Sequence, residues 1–310
     1  MCIRDSFYHI YGLMANVCTP VRMGMSIVIQ KRFEIEKFLE LVERFRCTFS
    51  STVMPVITFL SSYPELLQRR DLSSVRFIQQ AAMPSIPEIV RKFQKLTGIQ
   101  VIQAYGLSEA SPFVAVNPLS QSIVDSIGPP LPDTQIKIVD PETGTRELPT
   151  AVVGEIIVRG PQVMKGYWRR PKETAKVLRG GWLYTGDLGR RDANGYLYFV
   201  DRKKEIIKYM GFTVSPAELE SVLRGHPAVD DCAVVGKPDP VAGEIPKAFV
   251  KLREGAEIKE EELYRLVGSN VAGYKKIREI ELVDYIPRSP EGMLQRKKLL
   301  KKERMRASTR

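Results

Sequence analysis

The sequence predicts an α/β layer, followed by an antiparallel β subdomain and then a small α+β domain. Three observations carry that prediction. Amphipathic helical runs alternate with short β-rich runs over about the first 110 residues. From about 125 to 200 the apolar runs are short and punctuated by Gly and Pro. After 205 a capped helix opens a new alternation of strands and helices.

The elements follow in order. In 34–46, "EIEKFLELVERFR", Ile35, Phe38, Leu39, Val42 and Phe45 share one helical face. In 86–96, Ile86, Ile89, Val90, Phe93 and Leu96 repeat the pattern. β-rich runs follow each helix, "SSTVMPV" at 50–56 and "GIQVIQAY" at 98–105. The runs "TQIKIVD", "GEIIVRG" and "GYLYFVD" predict antiparallel strands, with Asn194-Gly195 as a hairpin turn before the last. In "VSPAELESVL", Ser215 is placed to cap a helix, with Pro216 at its first position and Glu218 completing a capping box. Strand-like "AVDDCAVVG" and "PKAFVKL", a helix over 258–268 and a strand in "IREIELVDYI" complete the last domain.

Bulk composition excludes several classes. The 310 residues are 44% hydrophobic and 27% charged, as in a globular protein. No apolar run approaches the roughly 18 residues of a membrane span, and the N-terminus lacks the order of a signal peptide. Cys2, Cys18, Cys47 and Cys232 are scattered without C-x-x-C spacing, which points to a reducing, cytoplasmic compartment and no zinc site. The net charge is +11, but residues 287–310 hold nine Lys or Arg against two Glu, a local excess of +7. That tail has no interleaved aromatics for base stacking, so no nucleic-acid partner is expected.

Three stretches concentrate polar residues where folding does not demand them. In "AYGLSEASP", 104–112, a strand ends at Tyr105 and Gly106 permits a sharp turn before Ser108 and Glu109. Strand ends in open α/β sheets are where ligands bind. An aromatic ring there suits a base, a hydroxyl suits a phosphate, and a carboxylate suits a hard cation such as Mg²⁺. In "GGWLYTGDLGRRDANGY", 180–196, Asp187 lies on a Gly-bounded turn, where one carboxylate can accept two ribose hydroxyls. In "VDRKKEIIKYMGFTVSPAELE", 200–220, Arg202, Lys203, Lys204 and Lys208 precede Gly211 at the start of the last domain. Taken singly, each stretch also reads as an ordinary solvated turn or linker.

In this order, the three together resemble the adenylate-forming (AMP-binding) superfamily. "IKYMGFTVSPAELE" is most similar to its acyl- and aryl-CoA synthetase branch, which includes coumarate–CoA ligases and luciferases. The resemblance runs from about 7 to 302. It implies that 1–203 is part of the large adenylating domain, α/β to about 120 and β-rich to about 200, and that 204–310 is a mobile small domain. It implies an ATP-dependent ligase of a small carboxylic acid, with ATP, Mg²⁺ and coenzyme A. Tyr105 would stack on adenine, Ser108 contact phosphate, Glu109 hold Mg²⁺, Asp187 grip the ribose, and Arg202 face ribose and phosphate. His9, in "FYHIYG", would lie by the acyl carboxylate, and "QQAAMPS", 79–85, would line acyl and nucleotide pockets with Gln80 where a glycine is usual. Lys204 would be the pivot, Gly211 would line the pantetheine tunnel, and Lys208 would serve the thioester-forming pose. Luciferase-like oxidation uses the same scaffold.

Two departures from the family pattern stand out. No Ser/Thr/Gly-rich phosphate loop precedes the His segment, so the chain is expected to be a fragment beginning after that loop, with unpaired strand edges. The leader "MCIRDS" matches nothing in the family. "PRSPEGMLQRKKLL" resembles the closing motif through Pro287, Pro290, Gly292, Arg296 and Leu299, yet Met293 stands where the adenylation lysine belongs. Lys297 and Lys298 lie a helical turn away. A thioether neither donates a hydrogen bond nor carries charge, so a weakened relative that binds nucleotide or acyl-adenylate is the alternative expectation.

Overall fold

A computed structural model describes residues 7, 9–289 and 294–308. The chain divides into two units, Met1–Thr185 with Gly189–Phe199, and Gly186–Leu188 with Val200–Arg310.

The first unit begins with short helices α1 (Ile10–Leu13) and α2 (Thr19–Arg22), joined by a π-turn at Met14–Cys18. Helix α3 (Ile35–Arg44) buries Phe38, Leu39 and Val42, the face its spacing predicts. Strand β1 (Phe49–Thr52) is shorter than expected, because the run 50–56 does not continue as a strand. Met54–Ser62 forms helix α4 instead, with Pro55 in its first turn, where the missing N–H costs nothing. Helix α5 (Pro64–Gln68), strand β2 (Phe77–Gln80), helix α6 (Pro87–Thr97), strand β3 (Gln100–Gly106) and strand β4 (Phe113–Val116) follow. The sheet order is β1-β2-β3-β4, the first three parallel and β4 antiparallel. Val56, Ile57 and Leu60 of α4 meet Val90 and Phe93 of α6 and Ile78 and Val101 of the sheet. Each such side chain contributes about 1.5–3 kcal/mol by leaving water.

The second sheet contains β5 (Gln135–Val139), β6 (Gly154–Arg159), β7 (Leu178–Arg179), β8 (Trp182–Arg191) and β9 (Leu197–Arg202), with α7 (Pro171–Val177) before β7; all of it counts to this unit except Gly186–Leu188 of β8 and 200–202 of β9. Its order is β5-β6-β8-β7, with β9 beside β8. The predicted turn closes the last pair, with Gly195 at φ +87° and Asp192 Oδ1 accepting from the N–H groups of Asn194 and Tyr196. Ile136, Ile138, Ile156, Val158 and Leu183 form its core with Tyr105.

The second unit is built on β10 (Ile207–Tyr209), β11 (Phe212–Val214), β12 (Val229–Asp239), β13 (Gly243–Leu252) and β14 (Glu279–Leu282), in the order β11-β10-β13-β12 with β14 parallel to β13. Helix α8 (Pro216–Arg224) is capped by Ser215 Oγ, which accepts from Glu218 N–H. Glu218 does not close the expected box: its carboxylate takes Lys275 Nζ at 2.8 Å instead. Helix α9 (Glu260–Asn270) and Leu219 and Leu223 of α8 cover the sheet around Ile207, Val234 and Val250. The basic tail folds as α10 (Arg296–Ser308), with Leu299 buried against Ala233, Val235, Phe249 and Ile286. Among the described residues no helix is long and apolar enough to cross a membrane.

Candidate active site

In the first unit the site grows from the end of β3. Gly106 is required there, since a Cβ would lie 1.9 Å from the Pro112 carbonyl oxygen. That oxygen accepts from Leu107 N–H at 2.8 Å, and a 3-10 turn over Ser108–Ala110 fills the return before the cis Ser111–Pro112 bond. The fold-back leaves Ser108 exposed and Glu109 half-buried at the carboxyl end of the strand. Tyr105, at 8% exposed, packs in the core with its ring 6.4 Å from Phe199.

Glu109 is held by the turn after β6. Its Oε1 accepts from the Tyr167 hydroxyl at 2.7 Å, and its carbonyl accepts from Met164 N–H at 2.8 Å. Burial, then the hydrogen bond to Glu109, push the Tyr167 phenol up to about 12. A neutral donor on one oxygen keeps the carboxylate oriented, with Oε2 suited to a hard cation. Among the described residues no group of three or more His, Cys, Asp or Glu could hold a metal ion. A cation here would therefore depend on phosphate oxygens and water for most of its ligands, the usual arrangement for Mg²⁺.

His9 is exposed and caps α1, its Nδ1 accepting from Tyr11 N–H at 3.1 Å. Tyr11 ties that helix down: its hydroxyl donates to Gln79 O at 3.1 Å, and its ring meets Phe113 edge-on at 5.6 Å. Tyr11, Ala15, Ala81 and Ala104 form one buried cluster. The His9 segment, the 79–85 stretch and β3 are thereby brought together. Gln80, fully buried, donates from Nε2 to Met83 O at 2.7 Å and so closes its own loop with the side chain a glycine would lack.

In the second unit Asp187 follows Gly186, whose φ is +72°. Asp187 is 8% exposed, and its Oδ1 lies 3.5 Å from Nε of half-exposed Arg202. A carboxylate beside a guanidinium can grip vicinal hydroxyls and an adjoining phosphate at once. Arg202 is anchored through its neighbour Asp201, which is 3% exposed. Asp201 Oδ1 accepts from Arg202 N–H at 2.7 Å, while Oδ2 accepts from Ser215 Oγ at 2.6 Å and Ala217 N–H at 3.0 Å.

Lys204 is exposed in the turn Lys203–Glu205. Lys208 lies on β10, its N–H donating to Glu244 Oε2 at 2.9 Å and its Nζ reaching Thr213 Oγ1 at 3.4 Å. Met210 (φ +47°) and Gly211 (φ +82°) make the hairpin turn between β10 and β11, the left-handed pair that such two-residue turns need. No atom lies within 4 Å of a Cβ built on Gly211, so the demand for glycine there is conformational. Beside the turn, Phe212 stacks on Tyr274 at 4.7 Å. Met293 lies outside the described residues, while Lys297 and Lys298 are exposed on α10.

Several groups escaped the sequence reading. Tyr167 is 58 residues from Glu109, and its only signal is an aromatic pair after Gly166. Asp201 and the Phe212–Tyr274 stack were not singled out. In the sequence, Arg296 is a motif residue without a role. In the second unit, though, its guanidinium pairs with Glu205 and Glu220.

Comparison with known proteins bears on this arrangement. The model for AMP-binding enzyme matches residues 1–168, and that for AMP-binding enzyme C-terminal domain matches 218–292. The chain is 41% identical over 302 residues to 4-coumarate–CoA ligase-like 9 of Oryza sativa subsp. japonica, covering 94% of this chain and 54% of that protein. It is 39% identical over 298 residues to a long-chain-fatty-acid–CoA ligase of Bacillus subtilis (strain 168), covering 96% and 53%. The chain thus spans about half the length of the curated relatives it matches. Among solved structures, ATP-bound MatB from Rhodopseudomonas palustris superposes with a TM-score of 0.90 at 31% identity, over 97% of this chain and 59% of that one. The chain belongs to the AMP-binding enzyme family.

Proposed function

We propose that this chain carries the nucleotide- and thiol-handling part of an ATP-dependent acyl- or aryl-CoA ligase. Such an enzyme joins a carboxylate oxygen to the α-phosphorus of ATP with loss of pyrophosphate, then passes the acyl carbon to the sulfur of coenzyme A with loss of AMP. The reading is supported above all by Asp187, a nearly buried carboxylate set 3.5 Å from the half-exposed Arg202 guanidinium.

In this reading Tyr105 packs against the adenine, Ser108 donates to phosphate, Asp187 accepts from the ribose hydroxyls, and Arg202 bridges ribose and phosphate. His9 orients the acyl carboxylate. Glu109, held by Tyr167, would hold Mg²⁺, which supplies neutralisation of phosphate charge. The segments 1–203 and 204–310 act as large and small domains with Lys204 as the pivot. Lys208 and the open side of Gly211 serve the thioester-forming pose. A reducing, cytoplasmic setting suits the free thiols Cys18, Cys47 and Cys232; burial pushes the last up to about 12.

Met293 favours a second reading, a relative that binds acyl-adenylate but makes it poorly. Losing one preorganised donor costs about 10²–10³ in rate. The test joins the chain to the phosphate-loop portion of a full-length relative, supplies a synthetic acyl-adenylate and coenzyme A, and separately measures pyrophosphate exchange into ATP. Thioester formation with slow exchange, rescued about 100-fold by Met293→Lys, is the expected result. Tight acyl-adenylate binding without thioester would favour the second reading. Neither binding nor turnover would remove both.

A further inference from the structure

The segment between β6 and β7 holds up a large apolar side chain that nothing in the first unit covers. Trp168 is 84% exposed, although tryptophan is on average a largely buried residue. It sits in a tight turn in which Tyr167 O accepts from Arg170 N–H at 3.1 Å, with Arg169 in the left-handed region at φ +54°. The turn is fixed to α7. Tyr167 N–H donates to Thr174 Oγ1 at 2.9 Å, and Thr174 Oγ1 donates to Arg170 O at 2.9 Å. The approach is close enough that a Cβ on Gly166 would lie 2.9 Å from Thr174 Cγ2. The ring is therefore displayed by a built turn rather than by a loose loop. Around it the charge is one-sided: residues 165–179 hold Lys165, Arg169, Arg170, Lys172, Lys176 and Arg179 against Glu173 alone. Glu173 is taken by Lys176 at 3.0 Å. Lys165, Arg169, Arg170 and Lys172 are all exposed, and none has an ion-pair partner among the described residues.

We propose that this turn and α7 form a docking surface for an anionic lipid bilayer, with Trp168 entering the headgroup layer and the four unpaired bases facing lipid phosphates and carboxylates. Three features favour a bilayer over other anionic partners. Tryptophan is enriched where membrane meets water, because its apolar ring and its N–H are both accommodated there. A single-stranded nucleic acid needs successive open rings on which its bases stack. The neighbouring rings of Trp182 and Tyr184 already carry Lys137 Nζ at 5.4 Å and Arg179 Cζ at 4.5 Å over them. The core of a protein interface is poor in lysine, whereas each Lys or Arg brought to an anionic membrane surface strengthens binding about fivefold. One ring and four bases suit reversible attachment rather than insertion. The inference stands apart from the ligase reading, since it uses only the surface of the first unit.

The test sediments the 310-residue chain with vesicles of phosphatidylserine and phosphatidylcholine in equal parts, and with vesicles of phosphatidylcholine alone. Binding is expected to the mixed vesicles only, weakening steeply as salt is raised. Trp168→Ser should weaken it at least about tenfold and Trp168→Phe less than about threefold. The triple variant Arg169→Gln, Arg170→Gln, Lys172→Gln should weaken it about a hundredfold. All four side chains are exposed, so circular dichroism should show the fold unchanged. Bromine-labelled acyl chains should quench the fluorescence of the chain but not that of Trp168→Phe, which retains only Trp182. No binding to the mixed vesicles, equal binding to both kinds, or equal quenching in Trp168→Phe would overturn the inference. Binding that survives both Trp168→Ser and the triple variant would come from the basic helix α10 and would overturn it as well. Tighter binding to a single-stranded oligonucleotide than to vesicles at the same salt would point to nucleic acid instead. Loss of vesicle binding once the chain is joined to the phosphate-loop portion of a full-length relative would show that portion covering the turn, and would also overturn it.

Discussion

Replacing Gly106 by Ala tests how the β3 turn is built. The new Cβ would sit 1.9 Å from Pro112 O, 2.5 Å from Pro112 C and 2.8 Å from Phe113 Cα. All three are backbone atoms, so no rotamer change relieves the overlap, and the return strand must move by more than an ångström. Forced overpacking costs about 1–3 kcal/mol, and backbone neighbours place this case at the upper end. The same Pro112 oxygen accepts from Leu107 N–H at 2.8 Å, and losing that bond adds about 1 kcal/mol. The expected loss is therefore about 3–4 kcal/mol. The assay is urea unfolding followed by tryptophan fluorescence. Both tryptophans of the chain, Trp168 and Trp182, lie in the first unit, so the signal reports the unit that carries the turn. A loss below about 1 kcal/mol would mean that the turn yields cheaply. The account of how Ser108 and Glu109 are held would then be wrong.

Other perturbations probe separate parts. Lys247, 2% exposed, meets Glu279, Glu281 and Glu303 at 2.7, 2.9 and 3.0 Å. Lys247→Met would take a buried ammonium away from three carboxylates, Glu303 among them at 3% exposed, at a cost of about 3 kcal/mol in the second unit, measured by denaturation with circular dichroism. Burial would lower the Lys247 pKa, but the three carboxylates outweigh it and raise it. Its contribution is thus full below the ordinary lysine value and lost as pH rises through the raised one, an alkaline loss that Lys247→Met should abolish. Tyr167→Phe should remove a phenol ionising at about 12, read by ultraviolet titration. If Glu109 holds Mg²⁺ as proposed, the substitution should also weaken Mg²⁺-nucleotide binding about tenfold, because a carboxylate loses a donor worth about 1.5 kcal/mol. Gly211→Ala should destabilise the β10–β11 hairpin by about 1–2 kcal/mol through its φ of +82°, with Gly211→Asn costing visibly less in the same melts.

Local signals were legible in the sequence where one face differed from the other. Helices α3 and α6 declared themselves by a polar side; α4 is apolar nearly all round, and its run 54–62 offers no period to separate a buried helix from a strand. The turn at 104–112 was legible because glycine and polar residues cluster there at the end of a β-rich run. The Asp187 and Arg202 positions were legible only in combination with the other stretches. What stayed hidden is long-range. Tyr167 reaches Glu109 across 58 residues, and Arg296 reaches Glu205 across 91. No spacing rule links such pairs before the fold exists. Glu218 misled for a related reason: the local partner its position promised lost to Lys275, 57 residues away.

Asp201 spans two jobs with one carboxylate, steadying the backbone of Arg202 and starting α8 through Ser215 and Ala217. On the proposed ligase reading, a screen that scores variants by surviving enzyme alone would count Asp201→Ala as a hit on nucleotide handling. A screen that scores only heat tolerance would count it as a broken cap. Each would be half right, and only reading both scores on the same variant would reveal that one oxygen pair answers for the two phenotypes.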